Sequence, residues 1–265
     1  MKDEILTFLP QGDWGEKIHW FDTLDSTNNE AKRLAAAGAP NGTLILSAQQ
    51  TGGRGRMGRS FQSPAGMGVY ITLLMRPQVR PEQLMHLTCA AGLYSCRGVE
   101  EATGFLPKIK WINDLIAGKK KLGGILTEMS VSTATGLVEY AIVGVGINCG
   151  QMPQDFPPEL RDKATSLLQT TGKEVSLPRL VAAMALSLTR MNGELFIRKK
   201  AIMEGYKNLC ITLHQPVQLL RGEECTPGYA LDLDGDGGLI VSLPDGSLRT
   251  VNSGEVSVRG MYGYL

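Results

Sequence analysis

Hydrophobic and polar positions divide the chain into elements of two periodicities. Between Lys17 and Leu24 the apolar residues Ile18, Trp20 and Leu24 fall among polar neighbours, which predicts a first strand. The run from Asp25 to Glu30 then opens a helix. Thr27 and Glu30 have capping-box spacing, Ala31, Leu34 and Ala35 form a stripe, and Gly38 and Pro40 end it. Thr43–Ala48 is a second strand, and Gly68–Met75 is a nearly continuous apolar run of the kind found in central strands. A long helix is predicted from Pro81 to near Gly104, with Leu84, Leu87, Ala91, Leu93 and Tyr94 on its buried face. Lys108–Asp114 alternates like a strand and closes on Asn-Asp. Gly118–Lys121 turns the chain back into Leu122–Glu128, which predicts a hairpin. Val138–Asn148 is a further buried strand, and residues 150–164 are a proline-rich loop. From Ser176 a helix carries Leu180, Met184, Leu188 and Met191, with more helix through Phe196 to Tyr206.

After Leu209 the pattern changes. Five short pieces (Val217–Leu220, Gly228–Leu233, Leu239–Ser242, Leu248–Val251, Glu255–Arg259) are separated by Gly, Asp and Pro turns, which predicts a small β-barrel. The expected division is therefore 1–210 and 211–265. The first 16 residues are polar, broken by Pro10 and Gly12, and too few for a helix-turn-helix module.

Composition adds mostly exclusions. Of 265 residues, 43% are hydrophobic and 20% charged, as in ordinary globular proteins, and a net charge of +1 argues against a dedicated nucleic-acid binder. The five cysteines are odd in number and lack C-x-x-C spacing, so neither a disulfide framework nor a zinc site is expected and a reducing compartment is. No signal-peptide core and no run of ~18 apolar residues is present, so the sequence reads as cytoplasmic, without membrane contact.

The positive charge is local. Gln49-Gln50-Thr51-Gly52-Gly53-Arg54-Gly55-Arg56-Met57-Gly58-Arg59 interleaves four glycines with three arginines. Glycine allows close backbone approach, and arginine offers planar donors to carboxylate or phosphate. The loop thus suits a small anion, although a solvated basic turn or an Arg-Gly nucleic-acid segment has the same composition. Ser26, Thr27 and Asn28 are either a helix cap or ligand donors at a helix start. Lys119, Lys120 and Lys121 are a solvated tip unless one of them faces inward beside Gly123 and Gly124. The Gly-Val-Gly of 144–146 is not a dinucleotide fingerprint, since no third glycine or helix follows. Asn148, at the end of that strand, is the better ligand contact. His86 has no second ligand at i+4 and reads as structural.

Together, Asp25-Ser26-Thr27-Asn28, the Gly-Arg loop, Lys-Trp-Ile-Asn-Asp (110–114), Lys-Leu-Gly-Gly-Ile-Leu (121–126) and Gly-Val-Gly-Ile-Asn (144–148) resemble the biotin protein ligase family. The resemblance implies an α+β fold: a mixed, mostly antiparallel sheet flanked by helices, as in class II synthetases, plus an SH3-like C-terminal barrel. It implies an ATP-dependent enzyme that makes biotinoyl-5′-AMP and then biotinylates a lysine of a biotin carboxyl carrier protein domain. By that resemblance Ser26, Thr27, Asn28 and Gln50 hold the biotin ring, with Arg54 closing over it. Arg56 and Lys121 grip the carboxylate and the adenylate phosphate, Arg59 reaches the nucleotide phosphates, and Gly53 and Gly124 line the pocket. Lys110, Asn113, Asp114 and Asn148 lie on the nucleotide side, with Asp114 the link to Mg2+. Ile112 replaces a common proline, Phe61 a common tryptophan and Asp232 a usual glycine. The short N-terminus implies no DNA binding. A homodimer stays open, as do a lipoate or octanoate ligase of the same fold, a non-catalytic biotin or nucleotide sensor, and an RNA-binding protein.

Overall fold

Ile5, within the stretch read as a polar lead-in, is fully buried on a short helix, α1 (Lys2–Thr7). A computed structural model of the chain describes residues 1–221, 224–252 and 257–260, the last four by their backbone. After α2 (Trp14–Lys17), β1 (Ile18–Leu24) runs where the alternation predicts it. α3 (Thr27–Ala36) begins one residue earlier in its cap than expected: Ser26 is the N-cap, and no side-chain capping bond forms. The capping box is absent because the Thr27 hydroxyl is engaged elsewhere, with Gln50 and Thr72.

β2 (Leu44–Gln50) pairs in parallel with β1, so β1, α3 and β2 form a crossover unit. β3 (Gly68–Met75) is buried at all eight positions, as a continuous apolar run requires. Pro81 begins a 3-10 turn rather than the long helix. The helix proper, α4 (Leu87–Thr103), starts after His86 and ends on Gly104. His86 is buried, with Nε2 3.0 Å from the Leu195 carbonyl, and burial lowers its pKa.

The 108–128 region holds two hairpins where one was expected. β4 (Lys108–Lys110) turns through Trp111–Asn113 into β5 (Asp114–Ala117), and Gly118, at φ +59°, turns that strand into β6 (Lys120–Val131). The earlier turn closes because Trp111 is buried, with its indole N–H donated to the Gly237 carbonyl at 2.9 Å. β7 (Val138–Asn148) completes a seven-stranded sheet of order β1-β2-β3-β7-β6-β5-β4, antiparallel everywhere except β1/β2.

Following α5 (Leu167–Thr171), the predicted run of helix to Tyr206 is interrupted at 195–198, giving α6 (Leu177–Glu194) and α7 (Lys199–Leu209). The Met/Leu stripe of α6 is core, with Leu180, Met184, Leu188 and Met191 fully buried. α4 and α6 cover one face of the sheet. On the other, Ala31 and Ala35 of α3 pack on Ile45, Leu74 and Ile142.

The tail forms β8 (Pro216–Arg221), β9 (Glu224–Leu233), β10 (Leu239–Ser242), β11 (Leu248–Val251) and β12 (Ser257–Gly260). Glu255 and Val256 of the predicted last strand lie outside the described residues. The strands make one antiparallel sheet, β11-β10-β9-β8-β12, and among the described residues no ladder joins β11 to β12. Among the described residues the expected small SH3-like barrel is a five-stranded antiparallel sheet without closure, and its inner face (Val217, Leu219, Ala230, Leu233, Leu239, Val241, Val251) is buried with the main core. Asp232 pairs with Lys207 at 2.7 Å.

Candidate active site

On the α3 face, the ends of β2, β5, β6 and β7 surround a cavity of about 600 Å³, within the range of small-ligand pockets. Of the candidate residues, Ser26, Thr27, Asn28, Gln50, Arg54, Arg56, Arg59, Lys110, Asn113, Asp114, Lys121, Gly124 and Asn148 all line it. Gly53 does not. A Cβ there would strike the Phe61 carbonyl and the Ser63 hydroxyl, so this glycine lets the loop's two limbs meet rather than admitting a ligand.

At one end of the cavity, small polar side chains form a continuous hydrogen-bonded chain. Gln50 Oε1 accepts from the Thr27 backbone N–H at 2.8 Å and from its hydroxyl at 3.1 Å. The fully buried Thr72 hydroxyl lies 2.9 Å from Thr27 Oγ1 and 2.8 Å from Asn28 Oδ1. Asn28 Nδ2 in turn donates to the Leu126 carbonyl and to Glu128 Oε2, at 3.2 and 3.0 Å. Gln50 Nε2 donates to Ser63 Oγ at 2.7 Å, and Ser26 is buried beside them. Mutual bonding of this kind fixes rotamers before any ligand arrives.

Gly144 explains part of the Gly-Val-Gly stretch. A side chain there would collide with the Asn28 amide, and one at Gly146 would meet the Phe61 ring. Both glycines make room for cavity-wall side chains. Gly123 abuts the Gly146 carbonyl of β7. The Phe61 ring packs edge-on to Tyr70, with centroids 6.4 Å apart.

The Gly-Arg segment folds as a flap. Bridges Gln50–Ser63 and Arg54–Ser60 tie its two limbs, and Met57, at φ +56° and 72% exposed, forms its tip. The three arginines diverge. Arg54 turns to Glu128, Arg56 turns inward and donates to Asn113 Oδ1 at 3.1 Å, and Arg59 lines the wall from the exposed tip. Burial lowers the Arg56 pKa, opposed by the charge of Asp114.

At the other end Lys121 Nζ lies 2.5 Å from Asp114 Oδ1. Of the three successive lysines, Lys121 is the one on the cavity wall. Gly124 gives it space, since a Cβ there would stand 3.3 Å from Lys121 Cε. Asn148 donates to the Thr165 carbonyl at 3.0 Å and accepts from Gln151 at 3.3 Å. Among the described residues Asp114 is the only carboxylate on the wall, against Arg54, Arg56, Arg59, Lys110, Lys121 and Lys163. An excess of cations around a mostly preformed cavity suits an anionic ligand.

Several wall residues were not picked out from the sequence. Phe156, Leu160 and Lys163 come from the proline-rich loop, whose isolated apolar residues were the available hint. Thr72, behind the wall, shares its strand's apolar run with one other hydroxyl, that of Tyr70. Four of the five cysteines are buried, and burial pushes the Cys149 thiol up to about 12, so it is inert; Cys225 is exposed. Among the described residues there is no cluster of three metal-ligating side chains, and no helix is long and apolar enough to cross a membrane.

A family model described as the biotin/lipoate A/B protein ligase family matches residues 20–148, and one described as the biotin protein ligase C terminal domain matches residues 212–259. The chain is 35% identical to the bifunctional ligase/repressor BirA of Bacillus subtilis over 248 residues, covering 92% of this chain and 74% of that one. It is 30% identical to a biotin–[acetyl-CoA-carboxylase] ligase of Paracoccus denitrificans, covering 89% of this chain and 98% of that protein. Among solved structures, the biotin protein ligase from Aquifex aeolicus in complex with biotin and ATP superposes with a TM-score of 0.77 at 29% identity, covering 92% of this chain and 99% of that one.

Proposed function

The chain belongs to the biotin/lipoate A/B protein ligase family, and from that premise we propose that it is an ATP-dependent biotin–protein ligase. In the first step the biotin carboxylate oxygen attacks the α-phosphorus of ATP, and pyrophosphate leaves, giving biotinoyl-5′-AMP. In the second, the amine of a carrier-protein lysine attacks the activated carbonyl, and AMP leaves. The observation that carries this reading is the polarity of the cavity: a hydrogen-bonded neutral end at Thr27, Asn28 and Gln50, and a cationic end at Arg56 and Lys121.

That polarity matches a molecule with an uncharged ureido ring and an anionic tail. Ser26, Thr27, Asn28 and Gln50 offer fixed donors and acceptors to the ring, and Arg54 covers it. Carboxylate and triphosphate repel one another, so Arg56 and Lys121 hold both where the new bond forms and stabilise charge building on the α-phosphate. Arg59 and Lys110 face the outer phosphates, and Asn113 orients Arg56. Lys121 can exchange its bond to Asp114 for one to phosphate. Mg2+ would neutralise phosphate charge; it needs only one or two carboxylates when phosphates supply the rest, and Asp114 fits that need. Asn148 and Phe61 border the base. Residues 1–210 form the catalytic unit and 211–265 a supporting one, the carrier being a biotin carboxyl carrier domain.

The test is biotin-dependent exchange of labelled pyrophosphate into ATP, run beside lipoate. Exchange with biotin alone is expected. Exchange with lipoate alone would assign the chain to the lipoate branch, and tight biotin binding without exchange would make it a sensor.

A further inference from the structure

Glu128, on β6, has no part in the chemistry above, yet its half-buried carboxylate meets three polar side chains from other elements. Oε1 takes Lys32 Nζ at 2.6 Å and Arg54 Nη2 at 3.1 Å, while Oε2 takes Asn28 Nδ2 at 3.0 Å. Its side chain is 20% exposed. Arg54 is also held by Asn29, which accepts from Nη1 at 3.0 Å. One carboxylate therefore joins three elements: the start of α3, the root of the flap, and the strand leading from Lys121.

Two physical consequences follow. First, Arg54 belongs to the limb closed by the Arg54–Ser60 bridge, so anchoring its guanidinium anchors the flap at the root while leaving Arg56 and Arg59 beyond it. Second, Glu128 cancels positive charge where the ligand is neutral. A bare guanidinium would gain nothing over an uncharged ring and would be drawn toward the carboxylate and phosphates at the far end. There Asp114 alone opposes the cations on the wall of the described residues.

We propose that Glu128 is a positioning residue that clamps Arg54, and with it the root of the flap, over the end of the cavity that takes the neutral ring. Its function in ligand retention rests on the biotin-ligase reading; the clamp itself does not, so the two can fail separately. Glu128→Gln keeps the side chain's size and one acceptor oxygen, but turns the other oxygen into an amide donor and removes the charge that holds Lys32 and Arg54.

The experiment is limited trypsin digestion of the whole protein without ligands, with cleavage after Arg54, Arg56 and Arg59 followed by mass spectrometry, beside stopped-flow biotin release. In E128Q, cleavage in the flap rises about five-fold and biotin leaves about five-fold faster, the factor for a partly buried ion pair. The KM for ATP stays near wild type, and the melting temperature falls by only roughly 2–4 °C, the effect of losing about 1 kcal/mol in a chain of this length. Adding E128Q to Arg54→Gln produces no further increase at Arg56 and Arg59, because the partner is already gone. Flap cleavage equal to wild type in E128Q, or a full additional increase in the double variant, overturns the clamp. Should E128Q fail to fold, Arg54→Gln alone decides: flap cleavage at Arg56 and Arg59 must rise. A wild-type protein that shows the cleavage pattern but binds no biotin overturns the ligase reading and leaves the clamp standing.

Discussion

Replacing Lys121 by alanine separates chemistry from stability. Its Nζ sits 2.5 Å from Asp114 Oδ1, with the lysine side chain 30% and the aspartate 19% exposed. Loss of the pair takes one cation from Asp114, which keeps the nearby Arg56 charge and is still reached by water, so the cost to folding lies near that of exposed pairs, about 1 kcal/mol, rather than the 3–5 kcal/mol of a fully buried one. For a chain of this length such a change lowers Tm by roughly 2–4 °C. The chemical step loses more. A preorganised cation at developing phosphate charge resembles an oxyanion-hole donor, whose removal costs about 10²–10³ in rate. Biotin-dependent pyrophosphate exchange in Lys121→Ala should therefore drop by about two to three orders of magnitude, with biotin's own affinity changed far less. Calorimetry and the exchange assay on one preparation give both numbers. A Tm lowered by more than about 10 °C together with near-normal exchange would refute the assignment.

Three further outcomes test neighbouring residues. Gly124→Ala places a methyl 3.3 Å from Lys121 Cε without requiring left-handed backbone, so exchange should fall about ten-fold while Tm barely moves; unchanged exchange would show that Lys121 adapts freely. Thr72→Val removes the hydroxyl shared by Thr27 and Asn28 and should cost about 1–3 kcal/mol, read as weaker biotin binding in calorimetry with the KM for ATP preserved. Burial raises the Glu128 pKa, but bonds from Lys32 and Asn28 and the nearby Arg54 outweigh it and hold the carboxyl below its ordinary value. Its contribution is thus present above the unfolded pKa of roughly 4.3 and lost as pH falls through the lower folded pKa. Chemical denaturation of wild type and E128Q should converge below that window; parallel curves would contradict the shift.

Much of this site was visible in the chain because it depends on short-range grammar. The strands at 68–75 and 138–148 are marked by nearly continuous apolar residues, and the flap by its glycines and arginines. What stayed hidden involves partners far apart in sequence. The Thr27 capping box looked complete locally, yet Gln50 and Thr72 claim the hydroxyl from across the sheet. The turn at 111–113 closes against Gly237, over 100 residues away, so one expected hairpin became two. Glu128 looked like one more alternating strand position, and nothing local marks its bonds to Lys32 and Arg54. Gly53, a pocket glycine by the resemblance, instead lets two limbs of its own loop meet, and Gly144 and Gly146 make room for Asn28 and Phe61 across the sheet. The α1 helix was missed because a single buried residue, Ile5, carries it.

Above all, a carboxylate must attack the α-phosphorus of ATP within this cavity. Biotin labelled with ¹⁸O at both carboxylate oxygens, turned over with ATP and a carrier lysine, tests it by mass spectrometry of the nucleotide product. The expected product is AMP carrying one labelled oxygen, with the other retained in the new amide. Unlabelled AMP, or label in inorganic phosphate accompanied by ADP, would contradict it.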